Sequence, residues 1–165
     1  MKREFSTREY RLTLKTASPP RVAFLIVAMC SIAHATLGGD LDSVQKDRGQ
    51  MKASLYVHPA PGYTVHEMKT AVGTTLREYL STSGHVFGMA WEGPFIPDMQ
   101  QILGDYLEPY SSAAQAERVR HLGRRPLSVQ QPRLVTQTSG HMLAFSGRAH
   151  DPELPPPGVS ADAIQ

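Results

Sequence analysis

Alternating apolar and polar positions predict three consecutive strands between residues 62 and 93. The segments GYTVHEMKT, TTLREYLS and HVFGMAWEG show this alternation, and the short sequences AVG and TSG separate them. A period of two places successive side chains on opposite faces of a strand, and the separating glycines suit tight turns. In the third strand the pattern predicts that Phe87, Met89 and Trp91 share one face and pack against helices.

After Pro97 the apolar spacing changes to three and four residues, which is typical of an amphipathic helix. Asp98 is suited to cap a first helix and Pro109 to end it, and a second helix is predicted over residues 111–119. Two further alternating segments, RLVTQTS and HMLAFSGRA, predict two strands that meet near Gly140.

The predicted elements follow the order β-β-β-α-α-β-β. This order is typical of an α+β domain with an antiparallel sheet of about five strands and a helical pair packed on one face. We place this single domain at residues 62–150. Residues 36–61 are polar, contain several glycines and prolines and show no sustained period, so we expect an extended arm. Three consecutive prolines within residues 151–165 favour a flexible, extended tail.

An apolar run preceded by basic residues marks the N-terminus as a secretory signal peptide. Residues 22–33 are predominantly apolar, six lysines and arginines precede them, and Ala33-His34-Ala35 provides a small-x-small cleavage site. The run is shorter than the roughly 20 residues that span a bilayer, so we expect no stable membrane span after cleavage. We therefore expect residues 1–35 to be removed and the mature chain to be periplasmic or secreted.

Cysteine content and charge exclude several classes of function. Cys30 is the only cysteine, and it lies within the predicted signal peptide, where acylation in a lipoprotein is the alternative. A mature chain without it has no disulfide, catalytic thiolate or cysteine zinc site. Residues 1–35 contain six basic and two acidic residues, so their removal lowers the formal net charge from +2 to −2. This charge does not indicate a basic surface for nucleic acid.

No catalytic motif is present, so we expect neither an enzyme nor a cofactor. The serines next to histidines lack the GxSxG context of a nucleophile on a strained turn. Glu67 and Glu78 could form an acid–base pair across two strands, but we expect these cross-strand carboxylates to face Arg77 or Lys69 in water instead.

Histidines in the predicted strands offer a metal site as one alternative. His66, His85 and His141 could converge if the two Ser-Gly-His turns occupy equivalent places in the sheet. No HExxH motif or other close spacing supports such a site. We therefore expect these histidines at the surface or at the edge of the core.

Large side chains in the third strand and the first helix offer a ligand groove as a second alternative. Phe87, Met89, Trp91 and Tyr106 either fill the core or line a groove between the sheet and this helix. A core is the simpler interpretation, because a small domain without disulfides depends on large buried side chains.

Two long blocks of the sequence resemble a known family. The blocks are YTVHEMKTAVGTTLREYLSTSGHVFGMAWEGPFIPDMQQILGDYL and SGHMLAFSGRAHDPELPPPGVSADAIQ, and LGG at residues 37–39 accompanies them. Together they resemble the bacterial secreted family named domain of unknown function 2844. The resemblance covers essentially the whole mature chain and contains no chemical motif. It implies a small exported protein and no particular activity.

These observations predict a non-enzymatic binding or interaction module of the bacterial cell envelope. We expect a protein partner in the envelope to bind exposed strand edges or the proline-rich tail at residues 151–165. The alternatives are a periplasmic protein that binds a small ligand or a metal through strand histidines, and an enzyme of unknown class.

Overall fold

Seven antiparallel strands form one sheet within residues 37–121 and 126–165, the part of the chain that the computed structural model describes. The elements along the chain are α1 (Leu41–Met51), β1 (Ser54–Ala60), β2 (Tyr63–Lys69), β3 (Thr75–Ser81), β4 (Val86–Gly93), α2 (Met99–Leu103), α3 (Leu107–His121), β5 (Leu127–Gln131), β6 (Leu134–His141) and β7 (Ala144–His150). Single 3-10 turns occupy Gly104–Tyr106 and Ala161–Ala163. The predicted signal peptide, residues 1–35, lies outside the described residues.

The strands lie side by side in the order β1-β2-β3-β4-β7-β6-β5. The predicted α+β class with an antiparallel sheet is confirmed. The predicted number of five strands and the order β-β-β-α-α-β-β are wrong, because α1, β1 and β5 are missing from them. The pairing of β4 with β7 joins a four-stranded half to a three-stranded half.

Each face of the sheet has its own core. The helices cover one face, here called the helical face. Its core combines side chains of strands and helices: Leu76, Met89, Trp91 and Leu134 with Val44 of α1 and Ile102 and Leu103 of α2. The opposite face carries the C-terminal segment and is called the tail face. Its core is smaller and contains Tyr79, Phe87, Ala90 and Ile164.

A β-bulge in β4 separates Phe87 from its predicted neighbours. The register between β3 and β4 shifts at Tyr79 and Leu80, which leaves Phe87 as an extra residue. Its side chain lies in the tail-face core, whereas Met89 and Trp91 lie in the helical-face core. The prediction that the three share one face is wrong, because a period of two does not continue across a bulge.

Residues 41–60 form α1 and β1, so the extended arm predicted for residues 36–61 is also wrong. The Ser43 N–H donates to Asp40 Oδ1 at 3.0 Å and thereby caps the start of α1. Lys52 ends the helix in the left-handed conformation, with φ at 49°. Both α1 and β1 expose most of their side chains, and no apolar period therefore marks them in the sequence.

Two differences concern the second half of the chain. The sequence did not predict β5 because Val129 is the one fully buried residue of this strand. Pro109 does not end a helix but lies in the first turn of α3, where an N–H would have no helical acceptor. The helical pair is otherwise confirmed, and Asp98 caps α2 by accepting a hydrogen bond from the Gln100 N–H at 2.9 Å.

The C-terminal segment packs on the sheet, so the prediction of a flexible tail at residues 151–165 is wrong. Ile164 is fully buried, and Gly88 makes room for it because a Cβ at position 88 would overlap its side chain. The Gln165 N–H donates to the Tyr79 hydroxyl at 3.0 Å, and that hydroxyl donates to the Gln165 carbonyl at 2.8 Å. Two turns shape this segment, closed by hydrogen bonds from the Leu154 N–H to the Asp151 carbonyl and from the Val159 N–H to the Pro156 carbonyl, and Ile164 anchors it.

Two buried carboxyl groups lie between α1 and the sheet. Glu78 of β3 and Asp47 of α1 are both fully buried, and the Asp47 carboxyl is near enough to Glu78 to affect its protonation. Burial, followed by the neighbouring Asp47 carboxyl, raises the pKa of Glu78 well above its ordinary value. The Gln101 amide of α2 donates to Asp47 Oδ1 at 2.7 Å. Asp47 thus links α1 to α2 and lies beside a neutral Glu78 of the sheet.

His66 is the cross-strand neighbour of Glu78 on the helical face and titrates in the opposite sense. It is buried on β2, and its Nε2 lies 3.2 Å from the Thr64 hydroxyl. Burial lowers the pKa of His66 from its ordinary value. The folded chain therefore favours an uncharged imidazole beside an uncharged Glu78.

We expect Glu78→Gln to change how stability depends on pH. A raised pKa stabilises the folded wild type fully below the ordinary value of 4.5, and this contribution is lost as pH rises through the folded pKa. Chemical denaturation at a series of pH values should show that the free energy of unfolding of Glu78→Gln increases relative to that of the wild type as pH rises. The gain is about 1.4 kcal/mol for each unit by which the Glu78 pKa is raised.

The matched control is His66→Asn, which should act in the opposite direction. The lowered pKa of His66 contributes stability above its ordinary value of 6.5 that is lost as pH falls. The free energy of unfolding of this variant should therefore increase relative to that of the wild type as pH falls. Parallel stability curves for the wild type and Glu78→Gln would contradict the assignment of a raised pKa to Glu78.

We expect Ile164→Ala to destabilise the whole domain because the side chain is fully buried in the tail-face core. Truncations of this kind cost about 2–5 kcal/mol in free energy of unfolding, which chemical denaturation measures. The control is Val119→Ala, since Val119 is 75% exposed and should change stability little. Equal effects of the two substitutions would show that the C-terminal segment is not part of the core.

Candidate functional site

A groove of about 530 Å³ opens on the tail face beside the C-terminal segment. Its floor includes Arg77 of β3, Arg148 of β7 and Gln137 of β6, which lie on one row across the sheet. Ser128 of β5 extends the row, and Ile164 and Gln165 form one wall. This tail-face groove opens beside the C-terminal segment, which packs over Tyr79, Phe87 and Ala90.

Arg148 is the cation at the centre of the tail-face groove. Its Nε donates to Gln137 Oε1 at 3.0 Å, and its Nη1 donates to the Ile164 carbonyl at 3.3 Å. These two neutral acceptors hold the guanidinium in place, and no carboxylate within the described residues pairs with it. The positive charge therefore remains available to a ligand in the groove.

Arg77, the second arginine of the groove, is neutralised by two carboxylates. Its Nε lies 2.9 Å from Glu67 Oε2, and its Nη2 lies 2.8 Å from Glu92 Oε1. Lys69 also pairs with Glu67, at 3.2 Å. The expected pairing with Arg77 or Lys69 is confirmed for Glu67 and is wrong for Glu78, which is fully buried. The two carboxylates do not form an acid–base pair because they lie on opposite faces of the sheet.

Hydroxyl and amide groups supply the rest of the polar lining. The Ser139 and Ser146 hydroxyls face each other across β6 and β7 at 3.1 Å. Within the described lining, Glu92 is the only carboxylate side chain, and Arg77 engages it. A guanidinium with hydroxyls and an amide can bind an anionic, hydroxyl-bearing molecule, and this lining contains no histidine that could act as a general base.

The four residues predicted as an alternative ligand groove do not form one. Phe87 and Met89 are completely buried on opposite faces, and Trp91 is 1% exposed. The Trp91 ring lies against Gly147, where a Cβ would overlap it. Gly147 thus permits this close contact, and it pairs with Trp91 in the register between β4 and β7. The core interpretation is correct for these three side chains.

Tyr106, the fourth predicted groove residue, links the helices to the start of the C-terminal segment. Its hydroxyl donates to Asp151 Oδ2 at 2.6 Å and accepts a hydrogen bond from Arg133 Nη2 at 3.1 Å. Burial, followed by the hydrogen bond to Asp151, raises the pKa of Tyr106 to about 12. Tyr106 is therefore a neutral structural donor rather than a ligand contact.

The three histidines of the predicted metal alternative are not brought together. His66 is buried in the middle of β2. His85 lies in the turn before β4 and His141 at the end of β6, and the antiparallel pairing places these at opposite ends of the sheet. In residues 37–121 and 126–165 no group of three or more His, Cys, Asp or Glu side chains is arranged to hold a metal ion.

The sequence interpretation missed Arg148, Gln137 and the two facing serines. A signal for them was present, since Ser146 and Arg148 alternate with apolar neighbours along the last predicted strand. Without the register between β6, β7 and β4, nothing indicated that they share a face with Arg77.

Comparison with known proteins gives a family and no named relative. None of the helices in the described part of the chain is long and apolar enough to cross a membrane. No curated protein and no solved structure matches the chain. The family model described as "Protein of unknown function (DUF2844)" matches residues 33–164, which include each described strand and helix and all of the groove lining except Gln165. The chain therefore belongs to the DUF2844 family.

Proposed function

We propose that this protein is an exported, non-catalytic binding protein of the bacterial cell envelope and that the tail-face groove is its ligand site. The observation that carries the proposal is the Arg148 guanidinium, which lies in the groove with two neutral acceptors and no carboxylate partner among the described residues. An arginine in this state favours a carboxylate or phosphate group, which it can bind through two parallel hydrogen bonds.

The size and lining of the groove define the ligand class further. A volume of about 530 Å³ suits a small molecule rather than a folded partner. The Ser139 and Ser146 hydroxyls and the Gln137 amide can each donate and accept hydrogen bonds. The groove therefore fits a compact anion that also carries hydroxyl groups, such as a sugar acid or a sugar phosphate.

The groove supports binding better than catalysis. Its one carboxylate side chain within the described residues, Glu92, is paired with Arg77, and its serines have no histidine beside them. The predicted role of the tail as a free contact for a partner loses its basis, because Ile164 is buried against the sheet. The groove replaces the tail as the proposed binding element.

We expect export with cleavage after Ala35, because Ala33 and Ala35 provide the small side chains that the processing site requires. N-terminal sequencing of protein recovered from the periplasm or the medium should begin at Thr36. As a control, Ala35→Leu should accumulate unprocessed. Recovery of full-length wild type from the cytoplasm would contradict the proposed localisation.

We expect Arg148→Ala to abolish binding of anions in the groove, because the variant removes the uncompensated guanidinium. The probes are inorganic phosphate and galacturonate, followed by NMR titration of backbone amides. The wild type should show saturable shifts at Ser139 and Ser146, and Arg148→Lys should bind more weakly because it cannot form two parallel hydrogen bonds.

Arg118→Ala is the matched control, since Arg118 is an exposed arginine of α3 outside the groove. It should leave the titration unchanged. Saturable shifts that persist in Arg148→Ala would show that Arg148 does not bind the anion. An absence of saturable shifts with both probes in the wild type would contradict the proposed ligand class.

A further inference from the structure

Exposed large apolar side chains concentrate at one end of the sheet. Nine such side chains occur in residues 37–121 and 126–165, and five of them lie in three neighbouring turns. These five are Val72 between β2 and β3, Phe95 and Ile96 after β4, and Met142 and Leu143 between β6 and β7. We call this set the apolar rim.

The strand register places the three turns side by side. Thr75 at the start of β3 pairs with Glu92 near the end of β4, and Glu92 pairs with Ser146 near the start of β7. The Thr74 hydroxyl also donates to the Phe95 carbonyl at 3.1 Å and links two of the turns. At the opposite end of the sheet, the described turns at 61–62, 82–85 and 132–133 contribute none of the nine side chains.

The turn between β6 and β7 holds its apolar side chains outward at a conformational cost. Leu143 adopts the left-handed conformation with φ at 64°, which glycine or asparagine adopts far more readily. Its side chain is 63% exposed, and that of Met142 is 84% exposed. Neither side chain contributes to a core, so packing within the domain does not explain a leucine at this position.

Two lysines flank the rim on its β1–β2 side. Lys69 ends β2 and is 56% exposed, and Lys52 is exposed two residues before Ser54, the partner of Lys69 in the sheet. Glu92 pairs with Arg77, and Glu67 pairs with both Arg77 and Lys69, so Lys52 is the lysine of the two that has no carboxylate partner among the described residues. Projecting apolar tips with lysines behind them complement a lipid surface that carries negative headgroups.

We propose that the apolar rim docks the protein on the surface of an anionic lipid bilayer. Met142, Leu143 and Phe95 enter the boundary between headgroups and acyl chains, and Lys52 and Lys69 contact the phosphates. The strands then point towards the membrane, and the Ser139 and Ser146 end of the tail-face groove lies two residue pairs from the docked turn. This inference does not depend on the ligand proposed for the groove.

Sedimentation with vesicles tests the proposal, using protein recovered after export. Vesicles of phosphatidylethanolamine and phosphatidylglycerol should bind the wild type, and vesicles of phosphatidylcholine alone should bind it less. Leu143→Gly should weaken binding by roughly tenfold or more, the effect of removing one large apolar side chain from the interface. The same variant should melt at an equal or higher temperature, because glycine relieves the strain at φ 64°.

The matched control is Val57→Ser, which removes a side chain of similar exposure, 52%, from β1 outside the rim. It should bind vesicles like the wild type. Failure of the wild type to bind anionic vesicles overturns the proposal, as does binding that Leu143→Gly leaves unchanged. If light scattering showed a dimer that depends on the apolar rim and no vesicles were bound, the proposal would be wrong, and the rim would bind a second copy of the chain instead of a lipid surface. If the wild type bound phosphatidylcholine vesicles as strongly as anionic vesicles, the proposed contacts between the lysines and the lipid phosphates would be wrong.

Discussion

The close contact between Trp91 and Gly147 fixes the register on which both halves of the sheet depend. The two residues are paired between β4 and β7, and a Cβ at position 147 would overlap the indole ring. Because of this register, Arg148 lies beside Ala90 and in line with Arg77. A shift of one residue would turn Arg148 to the helical face, away from Gln137 and the Ile164 carbonyl that hold its guanidinium. The groove is thus a consequence of how one tryptophan packs.

The sequence was sufficient for elements whose buried side follows a clear period. The alternation through β2, β3, β6 and β7 predicted these strands close to their observed bounds, and the spacing after Pro97 predicted the start of α2 but not its end at Leu103. It was insufficient where elements expose most of their surface, as in α1 and β1, or where Phe87 adds a residue to a strand. The burial of Ile164 was not predicted, because the proline content of the C-terminal segment does not indicate whether one apolar residue after the prolines packs on the sheet.

The candidate site was harder to predict than the fold because it arises from register. Arg148, Gln137 and Arg77 are distant in sequence and carry no motif, and they align only after three strand pairings are set. The raised pKa of the buried Glu78 was also not predictable, because it depends partly on Asp47 of α1, a helix that the sequence did not predict. The pairing of Glu67 with Arg77 was predictable because it depends on adjacent strands joined by a short turn.

The packing of Ile164 and Gln165 has a consequence for regulation by ligands. These two residues form a wall of the groove and also anchor the C-terminal segment in the tail-face core. A ligand that contacts this wall binds only the state in which the segment is in place. By thermodynamic reciprocity, occupancy of the groove and attachment of the segment strengthen each other by the same factor. Anything that captured residues 151–165 would therefore empty the groove without touching the ligand.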